Sequence, residues 1–289
     1  MTDSVGIVSL HVYPVKGCRA MDLARAPLSA TGLKWDRNWM FVDESGRFLS
    51  QRECPGLALI DAMVAGGELR LGAPGHASLH CPIESGGESR RVTIWRDTCV
   101  AQVSRVDTRD WLQRVTGVRG QLVRGIDGQA READRAFTGS DTGQAFFADA
   151  YSMLIVGTAS LGALNARLPE PLPMNRFRPN IVIDAPAAFA EDRMTWLRAG
   201  AIELKCVKPC TRCIVTTTDQ RTGERRGEEP LRTLRKFRWL PALKGVAFGM
   251  NAIVTRGAGA ELAVGDRFEV DWHPHSAPDR WTIRAAERA

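Results

Sequence analysis

Residues 201–219, AIELKCVKPCTRCIVTTTD, decide how the rest of the chain is read. Ile202, Leu204 and Cys206 fall on one face of an extended chain and Glu203, Lys205 and Val207 on the other, the period-two pattern of a half-buried strand. Pro209 has no N–H to give to a ladder, so the strand is expected to break there. Beyond Cys210, Thr211, Arg212 and Cys213, the β-branched run at residues 214–218 predicts a second strand. Two cysteines thus flank a corner between strands, where a thiol is reachable and the charge of Arg212 favours its thiolate. Soft metals bind that form.

Four chemistries fit such a corner. In the first, the cysteines are small core hydrophobes; Cys206 fits this best, because it shares a face with Ile202 and Leu204. In the second, Cys210 and Cys213 form a redox pair, although such pairs sit at helix N-termini and here strand-formers follow. The third is an iron–sulfur cluster of the type found in radical enzymes that use S-adenosylmethionine, whose spacing Cys206-x3-Cys210-x2-Cys213 reproduces. That chemistry needs an exposed Cys206 and a run of βα units, which the pattern does not supply. In the fourth, one cysteine ligates a metal held mainly by a cofactor, and no other protein ligand is required.

Residues further out separate these. KPCTRCIVTTTD at 208–219, NRFRPNIVI at 175–183 and YPVKGC at 13–18 together resemble the MOSC family. More narrowly they are similar to its branch containing the mitochondrial amidoxime-reducing component and bacterial relatives. The resemblance runs from the first residues to Val270, with its motifs in family order. It implies an N-terminal MOSC-associated β-barrel followed by a MOSC domain. It also implies that the cysteine directly after arginine, Cys213, ligates molybdenum carried by a pterin.

Composition is that of an ordinary globular chain: 289 residues, 44% hydrophobic and 25% charged. Apolar runs stop short of the ~18 residues needed to cross a bilayer, and the opening residues lack signal-peptide character. A soluble, cytoplasmic protein is expected, with no membrane contact. The seven cysteines do not read as a disulfide framework. A charge of +6 is spread along the chain, and its densest cluster is Arg221, Arg225, Arg226, Arg232, Arg235, Lys236 and Arg238. This reads as a solvated face or as a surface that steers an acidic redox partner. No nucleic-acid motif accompanies it.

Along the chain, residues 5–15 predict a strand and Lys16-Gly17-Cys18 a turn in which backbone and ammonium can approach an anion. Cys18 reads as packing. Short strands are expected at 35–42, 47–50, 57–64, 68–71, 78–83, 91–95 and 99–103, a small barrel or sandwich. A helix follows at 107–115, then an aperiodic stretch at 119–141 that is taken as the domain boundary. Further on come a strand at 148–156, a helix at 160–168 and a strand at 181–184. The rest predicts a short helix opened by Glu229-Pro230 and strands at 246–255 and 264–270. Pro179 is expected to hold Arg178 extended, as an anion clamp. His273 and His275 lie in a Pro-rich tail, as a metal pair or as solvent-facing side chains.

The resemblance assigns cofactor contacts to Lys16, Gly17, Arg37, Ala150, Tyr151, Arg178, Asn180, Thr211, Arg212, Cys213 and Asn251. Animal members carry small hydroxyl residues where this chain has Ala150 and Tyr151, and some relatives an aromatic at Asn251. The expected fold is mainly β with some helices: residues 1–120 as the N-terminal β domain, 121–272 as the MOSC domain and 273–289 as a tail. The implied cofactor is molybdenum cofactor (molybdenum–molybdopterin). The implied activity is two-electron reduction of N–O bonds in small N-hydroxylated substrates, with Cys213 catalytic. No flavin or haem motif is present, so a separate reductase or electron carrier is the expected partner. A sulfur or cofactor carrier using a Cys213 persulfide is the alternative, since MOSC domains are also fused to cofactor sulfurases.

Overall fold

A computed structural model of the protein describes residues 4–84 and 86–274. Its framework is a ring of seven strands: β1 (Ser4–Val12), β2 (Met153–Gly157), β3 (Ile181–Ile183), β4 (Met194–Ala199), β5 (Ile202–Thr211), β6 (Gly245–Arg256) and β7 (Arg267–Trp272). Around the ring the order is β2-β3-β1-β7-β4-β5-β6, and β6 pairs back to β2, so the barrel is closed. All neighbours are antiparallel except β2 and β3. Closure leaves the ring with no free edge to template aggregation.

Alternation fills this barrel. In β1, Val5 and Ile7 point inward, then a bulge between Ile7 and Ser9 changes the parity so that Leu10 and Val12 do. They meet Ile155, Ile181, Ile183, Leu197, Leu204, Met250 and Phe268 in one buried cluster. Cys206 joins it at 2% exposure, as its face predicted.

The rest of the first half is also β. Strands Trp39–Val42, Gln121–Gly125, Asp97–Ser104 and Gly86–Ile94 form one sheet in that order, and Asp61–Ala65, Glu68–Ala73 and His76–Pro82 form a meander. Phe41, Leu57, Leu69, Trp111 and Leu122 pack beneath them. The fold is therefore mainly β, as expected.

One sheet draws strands from both sides of the expected division between residues 120 and 121. β1 lies in the barrel, because its apolar row is buried only with β3 and β7 on either side. The stretch read as aperiodic contains Gln121–Gly125, whose Leu122 and Val123 are buried on opposite faces and so show no alternation. Two local predictions are corrected. Pro209 does not end β5; it sits at a register shift between Pro209 and Thr211, where no N–H is demanded. Residues 214–218 are not a strand, for Ile214–Thr217 is a 3-10 turn. The Thr216 hydroxyl donates to the Cys213 carbonyl at 2.9 Å and the Thr217 hydroxyl to the Ile214 carbonyl at 2.8 Å. Threonine side chains thus take the acceptors a strand would need.

Candidate functional site

A cavity of about 310 Å³ opens where the β5 end of the barrel meets the first half of the chain. All eleven residues singled out from the sequence line it, although they come from well-separated segments. Six cationic side chains (Lys16, Arg37, Arg52, Arg178, Lys208 and Arg212) and one carboxylate, Asp149, also line it. Such a wall selects for an anion.

Lys16 is positioned by the turn after β1. Gly17 has φ of +85°, and a Cβ there would stand 3.1 Å from Leu57 Cδ1, so both conformation and space favour glycine. The Lys16 side chain is only 8% exposed. Its Nζ donates to the Phe147 carbonyl at 2.9 Å and pairs with Asp149. Burial pulls the Lys16 ammonium below its ordinary pKa, against the stabilising Asp149 charge. Desolvation opposes ionisation of Asp149 in turn, yet the Lys16 charge and hydrogen bond and the Trp95 indole N–H hold its carboxyl well below the usual range.

Arg37 and Arg178 are organised by Tyr13, a residue the sequence reading did not assign to the site. Both guanidinium carbons lie 4.2 Å from the Tyr13 ring centroid, so the phenol packs against two like charges. Arg37 Nη1 donates to Asp36 at 2.6 Å and to Asn180 Oδ1 at 3.1 Å. Arg178 Nη1 donates to Gln220 Oε1 at 3.2 Å, while its Nη2 is buried with no protein acceptor. Burial, with the like charge of Arg37 opposed by Tyr13, lowers the Arg178 pKa to about 10. Arg178 is not extended as expected: its φ is +55°, and Arg37 has +49°. Two bulky residues held in the left-handed region beside one cavity mark stored strain.

Asn180 is spent on structure. Its amide nitrogen donates to the His11 carbonyl at 3.1 Å, and its oxygen accepts from Leu154 N at 3.1 Å as well as from Arg37. It positions Arg37. Arg176 does not reach the cavity wall; it braces the turn after Cys213 through the Thr217 carbonyl at 3.0 Å.

At the β5 end, Arg212 serves Cys210 rather than Cys213. Its Nη1 lies 2.9 Å from Cys210 Sγ, its Nη2 donates to the Phe177 carbonyl at 2.6 Å, and its buried Nε has no protein acceptor. Cys213 is partly exposed and opens the 3-10 turn, with its carbonyl accepting from Thr216 N at 3.1 Å. Thr211 is exposed beside it, and Asn251 sits on β6 opposite Lys208 and Leu154. Ala150 is exposed, whereas Tyr151 is buried with Lys208 Nζ 5.7 Å from its ring centroid.

Cys206 and Cys18 are sealed in core clusters, which removes the three-cysteine cluster reading. Among the described residues no three His, Cys, Asp or Glu side chains gather to hold a metal. A metal bound here has the thiols of Cys210 and Cys213 within the cavity wall and whatever its own ligand brings. The basic cluster at 221–238 is partly structural: Arg238 is buried against Asp192 at 2.6 Å, and Arg225 donates to the Gln51 and Arg52 carbonyls. His273 is tied by its backbone to Arg193, and His275 lies outside the described residues. Among the described residues no helix is long and apolar enough to cross a membrane.

Trp95, Asp149, Gln51 and Gln220 also meet at this site without having been singled out. Gln51 and Gln220 form a reciprocal amide pair at 3.0 and 2.9 Å, both buried, across 169 residues of sequence. No local spacing announces such a pair.

Known proteins match the chain over the same regions. The MOSC N-terminal beta barrel domain matches residues 4–119 and the MOSC domain residues 142–269. The chain is 33% identical over 250 residues to mitochondrial amidoxime-reducing component 1 of Xenopus laevis, covering 81% of this chain and 72% of that protein. It is 32% identical over 255 residues to the Homo sapiens protein of the same name, covering 82% and 74%. A molybdenum cofactor sulfurase of Drosophila mojavensis is 31% identical over 243 residues, which is 80% of this chain and 30% of the sulfurase.

Proposed function

This chain belongs to the MOSC family, in the two-domain form with an N-terminal β-barrel, and on that premise we propose that it is a molybdenum-cofactor-dependent reductase of N-hydroxylated compounds. Cys213 is the proposed protein ligand to the metal, with Cys210 held beside it by Arg212. The observation that carries this reading is a cavity lined by two partly exposed thiols, Cys210 and Cys213, and by two buried guanidinium N–H groups, on Arg178 and Arg212, that have no protein acceptor. A buried donor left unpaired costs about 1–3 kcal/mol, so its recurrence here argues for an anionic ligand. Molybdenum cofactor is anionic through its phosphate and takes a thiolate as ligand, so the donor set fits.

When bound, the cofactor supplies two-electron oxygen-atom chemistry. The chain's own residues do the rest. Arg37, Arg178 and Arg212 would balance the phosphate charge and orient the pterin, with Tyr13 packed against the first two. Lys16 and Asp149 neutralise each other across the cavity wall, so that neither enters as a free charge. Net reduction of an N-hydroxy group to N–H and water consumes two electrons and two protons. A separate reductase or electron carrier is the proposed source of the electrons.

A second reading, a carrier of sulfur or of the cofactor, is favoured by the similarity to a molybdenum cofactor sulfurase. Metal and pterin analysis of purified wild type beside Cys213→Ala tests both. The reductase reading expects about one molybdenum per chain and turnover of N-hydroxy substrates in wild type, with molybdenum lost from the variant. Equal molybdenum in the two removes Cys213 from the coordination sphere, and bound sulfane sulfur without molybdenum favours the carrier.

A further inference from the structure

Trp95 is the first residue of a two-residue loop joining Gly86–Ile94 to Asp97–Ser104, where Ile94 pairs with Asp97. Its φ is +55°. Such loop positions favour glycine, asparagine or aspartate, and a tryptophan there is strained. Packing does not demand the indole either, since Trp95 is 39% exposed. Its contacts lead instead to the cavity it lines. The indole Nε1 donates to Asp149 Oδ1 at 3.1 Å, the Phe48 ring meets it edge-on at 4.7 Å, and the Arg52 guanidinium carbon lies 4.2 Å from its centroid. A strained backbone thus delivers a steadied, partly uncovered aromatic surface to the site.

Hydrogen-bonding capacity decides which ligand meets that surface. Asp149 is the only carboxylate among the lining residues, and it is held ionised. Its charge is matched by Lys16, and its exposed carboxylate remains an acceptor for the N–H or O–H of an N-hydroxy base. We propose that Trp95, positioned by Asp149 and Arg52, is a substrate-stacking wall that takes the flat face of aryl or otherwise conjugated N-hydroxy compounds and ranks them above aliphatic ones. This deepens the reductase reading and rests on it for the substrate class.

The test uses cofactor-loaded wild type, Trp95→Ala and Trp95→Phe, with benzamidoxime as the flat probe and acetamidoxime as the aliphatic one. Expected in Trp95→Ala is a rise of about tenfold in the benzamidoxime-to-acetamidoxime KM ratio. Trp95→Phe should restore most of that ratio, and the quenching of tryptophan fluorescence by benzamidoxime expected in wild type should be lost in both variants. Molybdenum and pterin contents should equal those of wild type. An unchanged KM ratio, or loss of molybdenum and pterin from Trp95→Ala, overturns the proposal while leaving the reductase reading standing. Trp95-dependent quenching with no turnover of either probe supports the stacking wall and removes the reductase.

Discussion

Arg178→Met should move two properties in opposite directions. In the cofactor-free protein the guanidinium is a burden: burial lowers its pKa from 12.5 to about 10, equivalent to about 3 kcal/mol against the charged form. Residual solvent access reduces that ceiling to about 2 kcal/mol. Both the folded and unfolded pKa lie far above neutrality, so the penalty is constant between about pH 5 and 8. Methionine removes it, keeps most of the side-chain volume against Tyr13, and forfeits about 1 kcal/mol of cation–π contact. Gln220 Oε1 still accepts from Gln51. The net expectation is a gain of about 1 kcal/mol, or roughly 2–4 °C in Tm, for protein stripped of cofactor. Cofactor retention moves the other way, because a charge-assisted hydrogen bond of about 1.5–3 kcal/mol to the anion is lost. Thermal unfolding of the stripped protein and molybdenum content of the purified one read the two effects. A variant that melts lower when stripped, yet retains wild-type molybdenum, would refute the assignment of Arg178 to an anion.

Other expectations lie away from the cavity. Glu191 is fully buried, accepting from Ser160 Oγ at 2.7 Å and Gly157 N at 3.2 Å, and burial with the nearby Asp192 charge pushes its carboxyl up to about 7. A raised carboxyl favours the protonated folded state, so its contribution is full below about pH 4.5 and is lost as pH rises through about 7. Urea unfolding should therefore show stability falling by about 2 kcal/mol from pH 5.5 to 8, and a flatter profile in Glu191→Gln. Gly249 has φ of +82°, and a Cβ there would stand 2.7 Å from Val156 Cγ2. Gly249→Ala should cost about 2–4 kcal/mol in denaturant unfolding, and a loss below about 1 kcal/mol would show that β2 and β6 can part without penalty.

The barrel and the site were legible to different depths. Alternation in β5 identified its buried face, while in β1 it marked a strand without its face, and motif order brought residues as distant as Lys16, Arg178, Cys213 and Asn251 to one cavity. Local propensity failed where side chains compete for backbone groups, as Thr216 and Thr217 do after Cys213. It also failed at Arg178, whose left-handed backbone is imposed by tertiary contacts against the preference of a residue preceding proline. Tyr13 and the Gln51–Gln220 pair act through contacts between distant segments, and no spacing rule reports those. Trp95 looked like part of a strand end because its aromatic character reads as strand propensity, while its role comes from where a tight loop aims it.

The place of β1 in the barrel bears on how the protein is made and dissected. Residues 13–152 are in effect spliced into a barrel between its opening staves, which meet only after Ile183 and Trp272 have been synthesised. Until then Val5, Ile7, Leu10 and Val12 have nowhere to go, and a nascent chain displays them to any holdase that recognises apolar sequence. A truncation beginning at residue 121 would likewise leave β3 and β7 facing a gap, and its expected fate is precipitation through those two raw edges.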